Sequence, residues 1–201
     1  MVFLRAVPAF ETAQPISGHG LVLRAPQNQD YAAWAELRAM SREHLVPWEP
    51  VWPRDDLTRS AFRRRLRHYA REARDDHGYA FFIFETLTGR LTGGVTLSSV
   101  RRGVTQSATL GYWMGAPHAR RGTMTKAVAC LIPHVFQELR LHRLEAATQP
   151  TNAASIRVLE KNGFQREGFA RSYLKINGAW QDHALYGLVA GDVAASSQVT
   201  P

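Results

Sequence analysis

Hydrophobic positions alternate in some segments of the chain and recur at helical spacing in others, which predicts interleaved strands and helices. The strand patterns cover residues 20–26, 79–86, 91–100, 107–115 and 143–148. The helical patterns cover residues 30–43, 59–74, 123–139 and 152–162. The dipeptide Asn177-Gly178, which is typical of a tight hairpin, joins two further strand segments, 164–176 and 180–189. The pattern favours an α/β fold with a mixed sheet, one domain over residues 1–190 and a disordered tail over residues 191–201.

Prolines interrupt two of these segments. Pro133 lies inside the 123–139 helix and is expected to kink it, because it removes the hydrogen bond to Ala129 and crowds that carbonyl. The segment LVPWEPVWPRDD, residues 45–56, contains three prolines, which exclude regular structure. Its two tryptophans, Trp48 and Trp52, favour burial. They are interpreted either as core residues or as apolar walls of a binding channel, and both interpretations stay open.

Composition limits the class of protein. The chain has 201 residues, 45% of them hydrophobic, which suffices for one well-filled core and is short for two. No apolar run approaches the ~20 residues of a membrane span, and residues 1–15 lack the pattern of a signal peptide. The single cysteine, Cys130, excludes an internal disulfide and a cysteine-based metal cluster, and its apolar helical setting predicts a small core residue. The histidines show no metal-ligand spacing. A cytoplasmic protein without a metal is expected.

The net charge of +8 is consistent with a nucleic-acid partner, an anionic cofactor or an arginine-rich source proteome. The densest basic run is RSAFRRRLRHYAREAR, residues 59–74. Its apolar residues fall on one helical stripe and the arginines fill the opposite face. A solvated basic face is the favoured interpretation. RNA or ribosome contact is the alternative, and no RNA-binding signature accompanies it.

The segment ARRGTMTKAV, residues 119–128, places two arginines and a glycine where a strand gives way to a helix. A helix start carries unpaired N–H groups and the positive end of the helix dipole, so it suits a phosphate. A plain turn is the alternative. A second strand-to-helix junction reads TQPTNAAS, residues 148–155. If the two strands are parallel neighbours, both helix starts lie at the sheet edge where α/β proteins bind ligands, and a diphosphate fits there.

Four motifs at these junctions resemble a known family. They are LGYWMGAPHARRGTMTKAV (110–128), NAAS (152–155), LEKNGF (159–164) and GFARSYLKINGAWQDHALYGLV (168–189). In this order and spacing they resemble the GCN5-related N-acetyltransferases (GNAT), with the closest likeness to the RimJ-like ribosomal-protein alanine N-acetyltransferases. The resemblance covers about residues 16–190. It implies a mixed, mostly antiparallel sheet of six to seven strands, about four helices, and acetyl-CoA in a V-shaped gap between strands 4 and 5.

The resemblance also implies which residues bind acetyl-CoA. Backbone groups near Trp113 and Met114 would pair with the pantetheine arm, and the amides of residues 121–125 would hold the pyrophosphate. The side-chain amide of Asn152 would hold the cofactor as the family's matching asparagine does. The full set of cofactor-binding residues is Trp113, Met114, Arg120, Arg121, Gly122, Thr123, Met124, Thr125, Asn152 and Lys161.

Three positions depart from the family pattern. Ala119 stands where relatives usually carry Arg or Gln, and this should weaken binding less than loss of Gly122 would, since backbone amides carry the pyrophosphate. Leu159 replaces the tyrosine that in many relatives protonates the departing thiolate; the RimJ-like branch uses a serine that maps onto Ser155. Thr109 replaces a glutamate of the fourth strand, so the general base is unassigned.

For the base, Glu49 of the PWEP segment is the candidate, because an acid among tryptophans could hold an α-ammonium or relay its proton through water. A solvent-exposed loop acid is the alternative. Glu85 and Glu145 lie on predicted strands and could serve instead, or merely pair with arginines. The expected acceptor is a protein N-terminal α-amine; a small-molecule amine is the alternative, and a ribosome- or RNA-binding module with a degenerate cofactor site is a second one. A monomer or homodimer with no membrane partner is expected.

Overall fold

A computed structural model describes residues 14–197, with side chains as far as residue 193. Its strands form one sheet in the order β1-β2-β3-β4-β5-β6-β8-β7. They are β1 Ile16–Gly18, β2 Leu21–Arg24, β3 Tyr79–Glu85, β4 Leu91–Arg101, β5 Ser107–Met114, β6 Arg143–Thr148, β7 Gln165–Ile176 and β8 Ala179–Val189. Every neighbouring pair is antiparallel except β5 and β6, which are parallel. The predicted α/β fold with a mixed, mostly antiparallel sheet is confirmed.

The helices of the described residues are α1 Tyr31–Met40, α2 Arg42–Leu45, α3 Arg59–Arg74, α4 Thr123–Pro133, α5 Ala153–Lys161 and α6 Ala190–Ser197. Sheet and helix counts exceed the expected ones. The additional strand is β1, which pairs with β2 through a tight turn at His19 and Gly20, both at positive φ. The additional helices are the short α2 and the terminal α6. None of the helices in the described part of the chain is long and apolar enough to cross a membrane.

Helices cover both faces of the sheet. Successive residues of β3 point to opposite faces, and Phe81 belongs to one apolar cluster whereas Phe82 belongs to the other. The cluster around Phe81 contains the inner face of α4 together with Leu159 of α5. The cluster around Phe82 contains Trp34 of α1 and Phe62 of α3. Because both faces are covered, β3 is a continuous apolar run rather than an alternating one.

Cys130 is buried in the first cluster, as predicted for a small core residue. Burial raises the pKa of its thiol. Its sulfur lies 3.0 Å from the position that a Cβ at Gly18 would take, so a larger residue at position 18 would require the Cys130 side chain to shift.

Two local expectations need correction. The helix that contains Pro133 does not simply bend: α4 ends at this proline and continues as one π-helical turn, His134–Glu138. A proline lacks the N–H of a regular turn, so the hydrogen-bond pattern changes where it enters. The second concerns the expected disordered tail: its residues 191–197 lie in α6, at whose start the Ala190 N–H donates to His142 O (3.0 Å) and the Val189 N–H donates to the Asp192 carboxylate. Residues 1–13 and 198–201 lie outside the described part of the chain.

Candidate active site

A gap opens in the sheet between β5 and β6. These strands pair only from Ser107 with Arg143 to Thr109 with Glu145. Beyond that point β5 continues through residues 110–114 and β6 through residues 146–148 without pairing to each other. The splay that was expected between the family's strands 4 and 5 is therefore present, and it lies between β5 and β6 because β1 adds one strand to the count.

The β5 edge of this gap presents free peptide groups. The Gly115 N–H binds Thr92 O of β4 at 2.9 Å, so this residue directs its N–H toward β4. Peptide groups of successive strand residues point to opposite edges, so the N–H and C=O groups of Tyr112 and Met114 face the gap. No strand pairs with them there. An extended amide ligand could pair with this edge as an added strand would.

The start of α4 has the backbone geometry that suits an anion. Gly122 is the N-cap at φ 75°, and Arg120 also has a positive φ, 62°. The first helical bond runs from Lys126 N–H to Gly122 O (3.0 Å), so the N–H groups of residues 123–125 have no acceptor within the helix. No side chain caps this end among the described residues. A Cβ at Gly122 would meet no atom within 4 Å, so the positive φ, rather than crowding by the protein, favours glycine there.

The start of α5 brings two hydroxyls together beside β5. Asn152 Oδ1 accepts from the Ser155 N–H (3.0 Å), so Asn152 is the N-cap. The Ser155 Oγ lies 2.8 Å from the Tyr112 Oη. Burial raises the pKa of Tyr112 to about 12, although the hydrogen bond from Ser155 acts in the opposite direction. The Tyr112 hydroxyl therefore stays protonated and can donate. Sequence reasoning missed this residue, because its partner is 43 positions away.

The far end of α5 is hydrogen-bonded to the start of α4. The Asn162 side-chain amide donates to Thr125 O (3.3 Å) in the first turn of α4 and to Val158 O (2.8 Å). The exposed Lys161 precedes it. Leu159 is 1% exposed and packs in the core, so this position supplies no proton donor. The two helix starts and the β5 edge thus border one gap, as the sequence predicted on the condition that the two strands are parallel neighbours.

The environment of Glu49 matches neither interpretation of the sequence, which were a catalytic base among tryptophans and a solvent-exposed loop acid. Both of its carboxylate oxygens accept from the Arg38 guanidinium at 2.7 Å, and Trp52 Nε1 donates to Oε2 at 2.7 Å. The Arg38 side chain is 7% exposed and that of Glu49 21% exposed. Three donors occupy the carboxylate oxygens and hold them in place, which leaves Glu49 poorly positioned to reach a substrate amine. That role stays an untested prediction.

Arg38 connects this carboxylate to β5. Its guanidinium lies 4.1 Å from the Trp52 ring centroid and 5.1 Å from that of Trp113. Its buried Nε has no hydrogen-bond partner among the described residues. Cation–π contacts with two indole rings compensate part of the cost of burying this charge.

We expect Arg38→Met to lower the free energy of unfolding by about 2 kcal/mol, because it leaves the Glu49 carboxylate uncompensated. The partial exposure of Glu49 keeps this loss below that of a fully buried pair. Chemical denaturation measures it. The double variant Arg38→Met/Glu49→Gln should regain part of the stability, since no charge is then left unpaired. A single variant as stable as the wild type would contradict the importance of the pair.

Residues 46–52, here called the arch, contact the segment that follows β6 and the tip of the β7–β8 hairpin. Pro47 O accepts from Gln149 Nε2 (3.2 Å) just after β6, and Glu49 O accepts from the Asn177 N–H (2.8 Å) at the tip of the β7–β8 hairpin. Trp48 is 37% exposed and Trp52 is half-buried, so neither is a core residue. The arch and the hairpin therefore touch at this point instead of leaving an open channel between them.

The other candidate bases are engaged. Glu145 pairs with Arg101 (2.6 Å) and Arg143 (3.0 Å), which agrees with its interpretation as an ion-pair partner. Glu85 lies 3.9 Å from His118 Nδ1. Burial lowers the pKa of His118, although Glu85 opposes the shift. The general base is thus not identified by position. No group of three or more potential metal ligands occurs within residues 14–197.

A sheet that opens between parallel strands, with an uncapped helix start and a row of free peptide groups at the opening, fits an extended ligand that carries both amides and a diphosphate. Residues 20–165 match the family model described as "Acetyltransferase (GNAT) domain", and the chain belongs to this family. It is an N-acetyltransferase, an acyltransferase that uses acetyl-CoA. The resemblance inferred from the motifs is confirmed, and the degenerate-site alternative is not retained.

Three similar proteins span most of the chain. It is 35% identical to the "Probable N-acetyltransferase YjcK" of Bacillus subtilis, over 88% of this chain and 98% of that protein. It is 31% identical to the "[Ribosomal protein uS5]-alanine N-acetyltransferase" of Escherichia coli, over 86% of this chain and 89% of that protein. The structure of Mycobacterium smegmatis RimJ in complex with CoA-disulfide superposes with a TM-score of 0.81 at 31% identity, over 89% of this chain and 90% of that chain.

Proposed function

We propose that the chain transfers the acetyl group of acetyl-CoA to the N-terminal α-amine of a protein, of the ribosomal-protein alanine type. The observation that carries this proposal is the likeness over most of the chain to an enzyme whose name gives a ribosomal-protein alanine as acceptor. A ribosomal acceptor would place the reaction in the cytoplasm. The exposed Trp48 ring on the arch offers a rigid apolar contact for the first residues of such a substrate.

In this proposal the predicted cofactor residues bind the donor from three sides. The free N–H groups of residues 123–125 take the pyrophosphate, with Arg120, Arg121 and Lys161 adding positive charge. The peptide groups of Tyr112 and the C=O of Met114, which face the gap, pair with the pantetheine amides along the open edge of β5. Trp113, the other residue predicted for this contact, directs its own peptide groups toward β4. The Asn152 side-chain oxygen caps α5. Its amide nitrogen has no hydrogen-bond partner among the described residues and can donate to the cofactor.

The proposed chemistry is a direct attack. A neutral amine adds to the thioester carbonyl, the carbonyl oxygen becomes an oxyanion, and the carbon–sulfur bond then breaks to release the CoA thiolate. The Met114 N–H faces the gap and is the proposed donor to the oxyanion. The Ser155 hydroxyl donates to the thiolate, and the Tyr112 hydroxyl donates to Ser155 Oγ. The proton that the attacking nitrogen loses passes to solvent, and solvent returns one to the sulfur through Ser155, so the balance closes.

A small-molecule amine is the second candidate acceptor, and one observation favours it. The hydrogen bond from Asn177 to Glu49 joins the hairpin to the arch, so an extended peptide has to enter beneath the arch or displace it. A small amine does not require either.

A panel of acceptors separates the two candidates. Peptides that begin with alanine or serine, their N-blocked counterparts and a set of small amines should be offered with acetyl-CoA. We expect acetylation of the free peptides alone, because the attacking group is the α-amine. Turnover of small amines alone, or of blocked peptides through lysine side chains, would overturn the proposed acceptor. It would leave the acetyltransferase class intact.

A further inference from the structure

One face of α3 carries a row of arginines without carboxylate partners, of which Arg59 lies 4.4 Å from the Tyr31 ring centroid and Arg71 lies 3.5 Å from His68 Nδ1. Arg59, Arg63, Arg67 and Arg71 follow one another at intervals of four residues and are exposed. None of them forms an ion pair with a carboxylate of the described residues, whereas the neighbouring Arg64 and Arg65 pair with Asp55 and Asp56. Four residues of helix rise by about 6 Å, so the row presents regularly spaced positive charge along one side of the helix.

A groove lies beside this row. It has a volume of about 460 Å³ and is lined by Arg63 and Arg67 of the row. Leu66 and Tyr69 of α3 supply apolar and aromatic surface, and the amide side chains of Gln27 and Asn28 form the opposite wall. This volume is in the range of small-ligand sites. The groove shares no lining residue with the β5–β6 gap or with the starts of α4 and α5, so it is separate from the active site.

We propose that the arginine row and the groove form a binding site for single-stranded nucleic acid, with successive phosphates on the arginines and a base in the groove. Guanidinium groups bind phosphate oxygens with two donors, which lysines do not. Amide side chains can bond to the edge of a base, and an aromatic or apolar surface can take its face. The net charge of +8 adds a long-range attraction for a polyanion.

The arginine row together with the groove distinguishes a single-stranded nucleic acid from other anions. An acidic peptide or an anionic lipid surface would use the charge of the row but not the amide wall or the apolar floor of the groove. The site therefore predicts binding with two components. One falls with salt because phosphates release counterions, and the other depends on the groove and is insensitive to salt.

The test uses the full chain and a fluorescently labelled 15-mer of oligouridylate, with anisotropy measured at several salt concentrations. Arg63→Gln/Arg67→Gln should weaken binding about tenfold and reduce the slope of log K against log salt by about 1.4, or about 0.7 for each lost contact. Asn28→Ala should weaken binding without changing that slope. Acetyl transfer by each variant confirms that it is folded.

The matched control is Arg64→Gln/Arg140→Gln, which removes the same charge from one ion-paired arginine of α3 and one exposed arginine outside the row. We expect its affinity for the oligonucleotide within about twofold of the wild type. Equal loss in the control and in the row variant would reduce the effect to net charge and overturn the proposal. Binding of polyglutamate or of anionic vesicles as tight as that of the oligonucleotide would overturn it as well.

Discussion

Gly122→Asp should weaken acetyl-CoA binding about 100-fold, which corresponds to about 2.7 kcal/mol. Two causes add. The φ of 75° at the N-cap of α4 strains any residue with a Cβ. The Asp side chain would also place a carboxylate beside backbone N–H groups that no other side chain caps. A negative charge at this point repels the pyrophosphate at close range. Isothermal titration with acetyl-CoA measures the loss.

Two further variants separate these causes. Gly122→Ala introduces the strain without the charge and should cost about tenfold or less. Gly103→Asp makes the same substitution at a glycine with open space and no positive φ, and it should leave the affinity unchanged. An affinity of Gly122→Asp within about threefold of the wild type would remove the α4 start from the cofactor site.

Ser155→Ala should lower kcat about 100-fold with little change in acetyl-CoA affinity, because its hydroxyl acts only as the thiolate forms. Tyr112→Phe keeps the ring and removes the hydroxyl 2.8 Å from Ser155, so it should lower kcat about tenfold. The double variant should be no slower than Ser155→Ala, because Tyr112 acts through Ser155 and the two effects are then not additive. Steady-state rates and titration of acetyl-CoA for each variant test this.

Tyr186→Phe is the matched control, since Tyr186 is another buried tyrosine of the same apolar cluster, and it should retain the wild-type kcat. If Ser155 served only to stabilise the start of α5, Ser155→Ala would instead lower the melting temperature and leave the turnover unchanged. Because the pKa of Tyr112 is raised to about 12 by burial, its hydroxyl stays protonated throughout the assay range. Tyr112→Phe should therefore lower the rate without moving the pH optimum, and a shifted optimum would assign Tyr112 a proton-transfer role instead.

Several parts of the site could be predicted because their signals are local. Gly122 and Asn152 sit at strand-to-helix junctions, and a helix start needs only a few neighbouring residues to specify its cap and its free N–H groups. The Asn177-Gly178 turn has both residues at positive φ, 46° and 83°, as its composition required. The alternation of hydrophobic residues and the residue types in the turns likewise specified most of the strands, since both are properties of short segments.

The sequence by itself determined the fold class and the two helix starts, and it left the parallel pairing of the strands that border the gap as a condition. Only the tertiary structure decided how the side chains pair. Glu49 became the ion-pair partner of Arg38, 11 residues away, because both enter a cluster of indole rings in which an unpaired charge would be costly. Tyr112 met Ser155 because β5 and α5 pack together, and the arch met the hairpin through a backbone hydrogen bond to Asn177. Hydrophobic period specifies which face of an element is buried, but the partner across that face depends on how elements distant in sequence pack together.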